Sequence, residues 1–134
     1  VIKIMAILYD CEDKSTYVEI SFIYQIPGEW EGCKFYLRYF KQSTLIREVP
    51  VGWTNKVVKL LLNLLAKFPI PEYEGYFSHY EKHLELKWIY ESATDQYLLI
   101  FLDLGTVFPL KVTKDGLKQF GLDIANEFEA APKR

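Results

Sequence analysis

Cysteine, histidine, methionine and glycine are all scarce in this chain. Its 134 residues include 2 Cys, 2 His, 1 Met and 7 Gly. The two cysteines, Cys11 and Cys33, form neither a CxxC pair nor part of a metal-spaced set. A disulfide between them stays open, but a domain of this length does not need one, so reduced and partly buried thiols are expected. The few glycines build no GxxxxGK[ST], GxGxxG or GxSxG, so the common phosphate cradle, dinucleotide turn and nucleophile elbow are missing. Long apolar runs are missing too. Nothing reaches the roughly 20 apolar residues of a membrane span, and VIKIMAILY at the N-terminus has no small-residue cleavage pattern. Neither charge sign dominates: 16 Lys and Arg stand against 18 Asp and Glu, a net charge of −2. That balance argues against a general nucleic-acid binder. The expectation is one soluble, cytoplasmic domain over residues 1–134, frayed at 1–4 and 130–134, with no membrane and no nucleic-acid partner.

Aromatic residues are in surplus, with 10 Tyr, 9 Phe and 3 Trp. The clearest single element lies over residues 53–68, WTNKVVKLLLNLLAKF. Lys56, Lys59, Asn63 and Lys67 form one narrow polar stripe and nearly all else is apolar, which predicts a largely buried helix over 54–68. Pro69 ends it. Thr113 is placed to cap a second helix over 114–129, with Leu117, Phe120, Gly121, Ile124 and Phe128 on one face and Glu127 facing away. Gly121 on that apolar face points to close approach of another element.

The remainder reads as strands. Residues 16–26 alternate, with Val18, Ile20, Phe22, Tyr24 and Ile26 opposite Glu19, Ser21 and Gln25. Further strands are expected over 33–41, 44–51, 73–80, 84–91 and 107–112, and the segment 92–95 reads as a hairpin loop. Residues 96–104 are almost continuously apolar, the pattern of a central strand covered on both faces. Within it, Asp103 needs a partner or a water-facing strand end, and the nearby Gly105 favours the strand end. Hairpin-length connections and separated helices predict an α+β protein: a mostly antiparallel sheet of about six to eight strands, two helices on one face, a two-layer sandwich.

Candidate chemistry is sparse. His79 and His83 are the metal-ligand candidates; on one continuous strand they would share a face with Glu81 and Glu85. A solvated polar face or turn explains the same residues, and HxxxH lacks the Glu that a zincin helix requires after its first His. No catalytic group and no cofactor is expected. Two helices cover one sheet face and leave the other free. That second face is expected to carry a Tyr-rich contact surface, with Trp30, Glu29, Glu31, Tyr17 and Tyr36 as partner-binding candidates.

From about residue 17 to 128, the strand pair, KVVKLLLNLLAKF, GYFSHYEKHLELKW, YLLIFLDL and GLKQFGLDIANEF follow one another in an order that resembles the WapI-family immunity proteins of bacteria. The resemblance implies a non-enzymatic protein that binds and neutralises a cognate toxin. A homodimer built on the aromatic face, with a structural or regulatory role, and a small-ligand-binding module are the competing expectations.

Overall fold

A computed structural model describes residues 5–70, 74–81 and 83–134. The chain runs β1 (Ala6–Tyr9), β2 (Tyr17–Gln25), β3 (Gly32–Lys41), β4 (Thr44–Thr54), α1 (Asn55–Ala66), β5 (Tyr76–Phe77), β6 (Glu85–Glu91), β7 (Gln96–Asp103), β8 (Thr106–Val112) and α2 (Lys114–Ala130). The α+β class and the antiparallel pairing hold, and the described strands number eight. They do not form one sheet. Sheet A is β1-β2-β3-β4 and sheet B is β5-β6-β7-β8, each strand pairing with its neighbour in sequence. The chain thus passes twice through a four-strand meander followed by a helix.

Two prolines help to explain the division. Pro50 lies in β4 and Pro109 in β8, the outermost strands on one side of each sheet. A proline has no N–H to offer a further strand, so such strands end sheets. The seams are closed by other means. Trp53 Nε1 donates to the His83 carbonyl at 3.3 Å, and the Thr54 N–H donates to Glu81 Oε1 at 3.2 Å. Across the other seam, the Cys11 N–H donates to the Lys111 carbonyl and the Lys111 N–H to Asp10 Oδ2.

The core lies between the sheets and the helices. Phe35, Leu37 and Tyr39 of β3 point inward together with Val49, Val51 and Trp53 of β4. Leu99 and Phe101 of β7 and Phe108 and Leu110 of β8 come from sheet B. Tyr39 joins the sheets, its ring 4.8 Å from Phe108 and 6.1 Å from Phe101. Helix α2 packs on β1 and β2 and along α1. Val57, Val58, Leu61, Leu64 and Leu65 of α1 are buried while Lys59, Asn63 and Lys67 meet water, as the polar stripe requires. A Cβ on Gly121 would lie 2.7 Å from Leu65 Cβ, so glycine is what lets the two helices approach. No helix among the described residues is long and apolar enough to cross a membrane.

Several local expectations are corrected. A bulge between Phe22 and Tyr24 puts Tyr24 opposite Lys34 on the outer face and turns Gln25 inward, where its Nε2 donates to the Phe128 carbonyl at 2.6 Å. Strict alternation cannot foresee that extra residue. Glu127 does not face away: it is buried, and its Oε1 accepts from the Phe22 N–H at 3.1 Å. The tail expected to fray is paired. Gln25 donates to the Pro132 carbonyl and accepts from the Arg134 N–H, and Ala131 is buried. The fraying expected at residues 1–4 lies outside the described residues. The strand expected over 73–80 shrinks to Tyr76–Phe77, Tyr73 lying outside the described residues.

Candidate interaction faces

Each sheet keeps one face away from the core. On sheet A, strand register sets the residues turned from the core in rows: Tyr17 beside Phe40; Glu19, Arg38 and Glu48; Ser21, Tyr36 and Pro50; Tyr24, Lys34 and Gly52, with Glu19 and Ser21 themselves buried beneath their neighbours. Aromatic rings and cations organise this face. Tyr17 stacks on Phe40 at 4.4 Å and touches Tyr9 at 5.2 Å. The Arg38 guanidinium lies 4.7 Å above Tyr36, and that of Arg134 lies 4.2 Å above Tyr24. Arg38 also donates to Glu19 at 2.9 Å and to Glu48 at 2.6 Å, and these hydrogen bonds hold its guanidinium above its ordinary pKa against the opposing effect of burial. The result is a row of preset side chains that lose little entropy on contact.

Trp30 stands beyond one end of that face and is 68% exposed. Its loop is held by the start of α1. The Asn55 N–H donates to the Glu31 carbonyl at 2.8 Å and the Lys56 N–H to the Glu29 carbonyl at 2.9 Å. These loop carbonyls take up helix N–H groups that have no partner within the helix, and the N-cap Thr54 makes no side-chain cap bond. Buried Asn55 adds two bonds from Nδ2, to the carbonyls of Ile26 and Gly28. Glu29 is paired with Lys56 at 3.0 Å. Trp30 is therefore displayed on a clamped loop. Tyr17 and Trp30 do not belong to one spot, because Tyr17 starts β2 and Trp30 follows its far end. Tyr36 lies between them. In the turn over residues 10–13, Asp10 accepts from the backbone of Glu12, Asp13 and Lys111. Hydrogen bonds from Ser15 and Thr16 lower the pKa of Asp13.

The two histidines serve different ends. His79 uses both ring nitrogens, Nε2 on the Leu84 carbonyl at 2.6 Å and Nδ1 accepting from the Glu81 N–H at 3.1 Å. His83 Nδ1 meets Asp103 Oδ1 at 2.7 Å. Lys82 lies outside the described residues. The segment is not one continuous strand, so the shared face expected for His79, Glu81, His83 and Glu85 does not form. His83 and Leu84 have φ of 73° and 63°, a left-handed backbone that a continuous strand cannot hold. Among the described residues no group of three or more His, Cys, Asp or Glu gathers as metal ligands.

Asp103 is where the sequence misleads. It is 1% exposed and does not face water: Arg47 approaches its Oδ2 at 3.3 Å and His83 its Oδ1. Position explains this, since Asp103 shares the inward parity of Tyr97, Leu99 and Phe101 along β7. The hairpin that follows is Leu104-Gly105, with φ of 44° and 90°. The Tyr39 hydroxyl is buried without a hydrogen-bond partner; burial and the Asp103 charge raise its pKa.

Cys11 is exposed and Cys33 buried, both as free thiols. Burial pushes Cys33 from its ordinary 9.0 up to about 12. Unfolding lets this thiol ionise at the lower value. Its contribution to stability is therefore complete below pH 9.0 and is lost as pH rises toward about 12. Tyr39, also raised, adds to the decline above its ordinary 10.0. Each group approaches a slope of about 1.4 kcal/mol per pH unit. In urea titrations from pH 8 to 11, Cys33→Ala is expected to flatten the loss between pH 9.0 and 10.0 relative to the wild type, leaving the contribution of Cys11, whose thiol is also raised by burial.

Among the described residues, clefts of note open at two places on the surface. One of about 560 Å³ lies between the loop joining β6 to β7 and the start of α2. Its polar groups are already engaged in part: the Tyr90 hydroxyl donates to Asp95 Oδ1 at 2.8 Å, and Thr113 caps α2 by accepting from the Gly116 N–H. The other, about 340 Å³, is a groove between α1 and α2 floored by Gly121.

Sheet B presents a different outer face. Leu98, Ile100 and Leu102 of β7 point outward beside Ile89, Val107 and Pro109. The strand expected to be covered on both faces is covered on one: Ile89, Val107 and Pro109 are exposed and the three β7 side chains only half-buried. The continuous apolar run was the signal for this surface, read there as burial.

No family model, curated protein or solved structure matches this chain.

Proposed function

We propose that this protein is a non-enzymatic protein-binding domain that engages its partner through the outer face of sheet A and the Trp30 loop. The observation that carries the reading is the row of Tyr36 under Arg38 and Tyr24 under Arg134, leading toward exposed Trp30. Tyr, Trp and Arg dominate the binding energy of protein interfaces, and here they are held in place before contact. The narrower reading is an immunity-type protein that neutralises a bacterial toxin, which rests on the resemblance described above. Asp10, Glu12, Asp13 and Glu31 would supply the negative potential that steers a basic partner such as a nuclease, with Glu29 partly offset by its ion pair with Lys56.

Affinity capture from lysate of the source cell tests this, with wild type, Trp30→Ala and Tyr36→Ala run side by side. The expected result is one protein held in a fixed ratio by the wild type and weakened by roughly 30-fold or more in each variant. Equal recovery by all three, or no partner, counts against the reading.

A further inference from the structure

From the outer face of sheet B we infer a second interaction surface, one that takes another copy of this chain. Leu98, Ile100 and Leu102 run down the centre of the face, flanked by Ile89 on β6 and by Val107 and Pro109 on β8. Val107 is 62% exposed and Ile89 48%. Contiguous aliphatic surface of this kind on a sheet face marks an interaction site.

Charge selects the occupant. The strand residues of the face are Glu85, Lys87, Glu91 and Lys111, two of each sign that sum to zero, with Asp10 and Glu12 only beyond the β8 rim beside Lys111. Glu91 and Lys111 pair with each other at 2.7 Å at the rim. Glu85 and Lys87 remain along β6, with Glu85 accepting from the Tyr76 hydroxyl. A strongly basic or acidic partner gains no attraction from a neutral face. A second copy related by a two-fold axis brings the same acid and base in reverse order, which is self-complementary.

Geometry selects the mode. Strand addition at β8 is obstructed, because residues 10 and 11 already bond to Lys111 and Pro109 offers no N–H. On the opposite side β5 has only 2 residues. Face-to-face stacking at about 10 Å remains. Strands of 7 and 8 residues give a face about 25 Å long. With its rims this buries on the order of 500 Å² per copy, which reaches the roughly 1,000 Å² total of a specific interface.

Sedimentation equilibrium on the full chain tests the dimer, alongside circular dichroism to verify folding. The wild type is expected to dimerise, and Ile100→Glu to remain folded with association weakened at least 100-fold. Lys87→Glu changes the face from zero to −2 on each copy and should weaken association at low salt, with recovery as salt rises. Tyr36→Ala on sheet A should leave it unchanged. A wild type that stays monomeric at about 1 mM overturns the inference. So does a dimer that persists in Ile100→Glu or is lost in Tyr36→Ala. Capture of a different protein that Ile100→Glu abolishes, with no self-association, overturns it in favour of a foreign partner. Because this surface is separate from the Trp30 and Tyr36 surface, either result leaves the proposed function to its own test.

Discussion

Leu64→Ala is expected to lower the free energy of unfolding by about 2–5 kcal/mol. Leu64 has no exposed surface, on the helix that joins the two sheets in sequence. Truncation removes three heavy atoms from a packed site and leaves a cavity whose walls cannot all relax. Leu64 lies in the same buried cluster as Leu61 and Leu65 of its own helix and the inward residues of both sheets. Leu61, 4% exposed, should behave similarly, whereas Lys59→Ala on the solvent stripe should change little. Urea denaturation of the three variants provides the comparison, and an unchanged midpoint for Leu64→Ala contradicts the packing described.

The second large effect is expected at Asp103. Removing a carboxylate that holds two cations or donors in the interior commonly costs about 3–5 kcal/mol. Here the partners are less deeply placed: the side chains of Arg47 and His83 retain 40% and 29% of their exposure and can rehydrate. Asp103→Ala is accordingly expected to cost about 2–3 kcal/mol, below that figure. Asp103→Asn keeps one acceptor and should recover about half of the loss. A double-mutant cycle with Arg47→Ala separates the pair from the cavity, since the second substitution should cost little once Asp103 is gone.

These two sites differ in how legible they were. Helix α1 announces itself, because Val, Leu and Ala fill every position outside a polar stripe and no sheet can use that period. Gly121 was equally readable, as a glycine on an apolar helical face has few uses apart from close approach. The loop over 92–95 and the Thr113 cap likewise follow from local chemistry. Asp103 required parity: counting back by twos to Tyr97 shows that it points inward, yet the adjacent Gly105 suggested an open strand end. The split into two sheets has no local signature. It depends on which strands meet across α1, and only Pro50 and Pro109 hinted that β4 and β8 would be outermost. The bulge at Phe22 and the pairing of the tail with Gln25 depend on one extra residue and on the distant Glu127 and Phe128, beyond the reach of alternation. Tyr36 lies on the outer face of sheet A and Trp30 on an exposed loop, while the apolar run of β7 reads as core in sequence because aliphatic residues stand at both parities.

The central claim is that binding resides on the outer face of sheet A while stability resides inside. Oxidative footprinting of the protein alone and in the presence of its captured partner addresses that claim residue by residue. Tyr24, Tyr36 and Trp30 should be protected by the partner, with Tyr90, exposed on sheet B, reacting equally in both samples. Protection of Tyr90 with Tyr36 and Trp30 left reactive would contradict it.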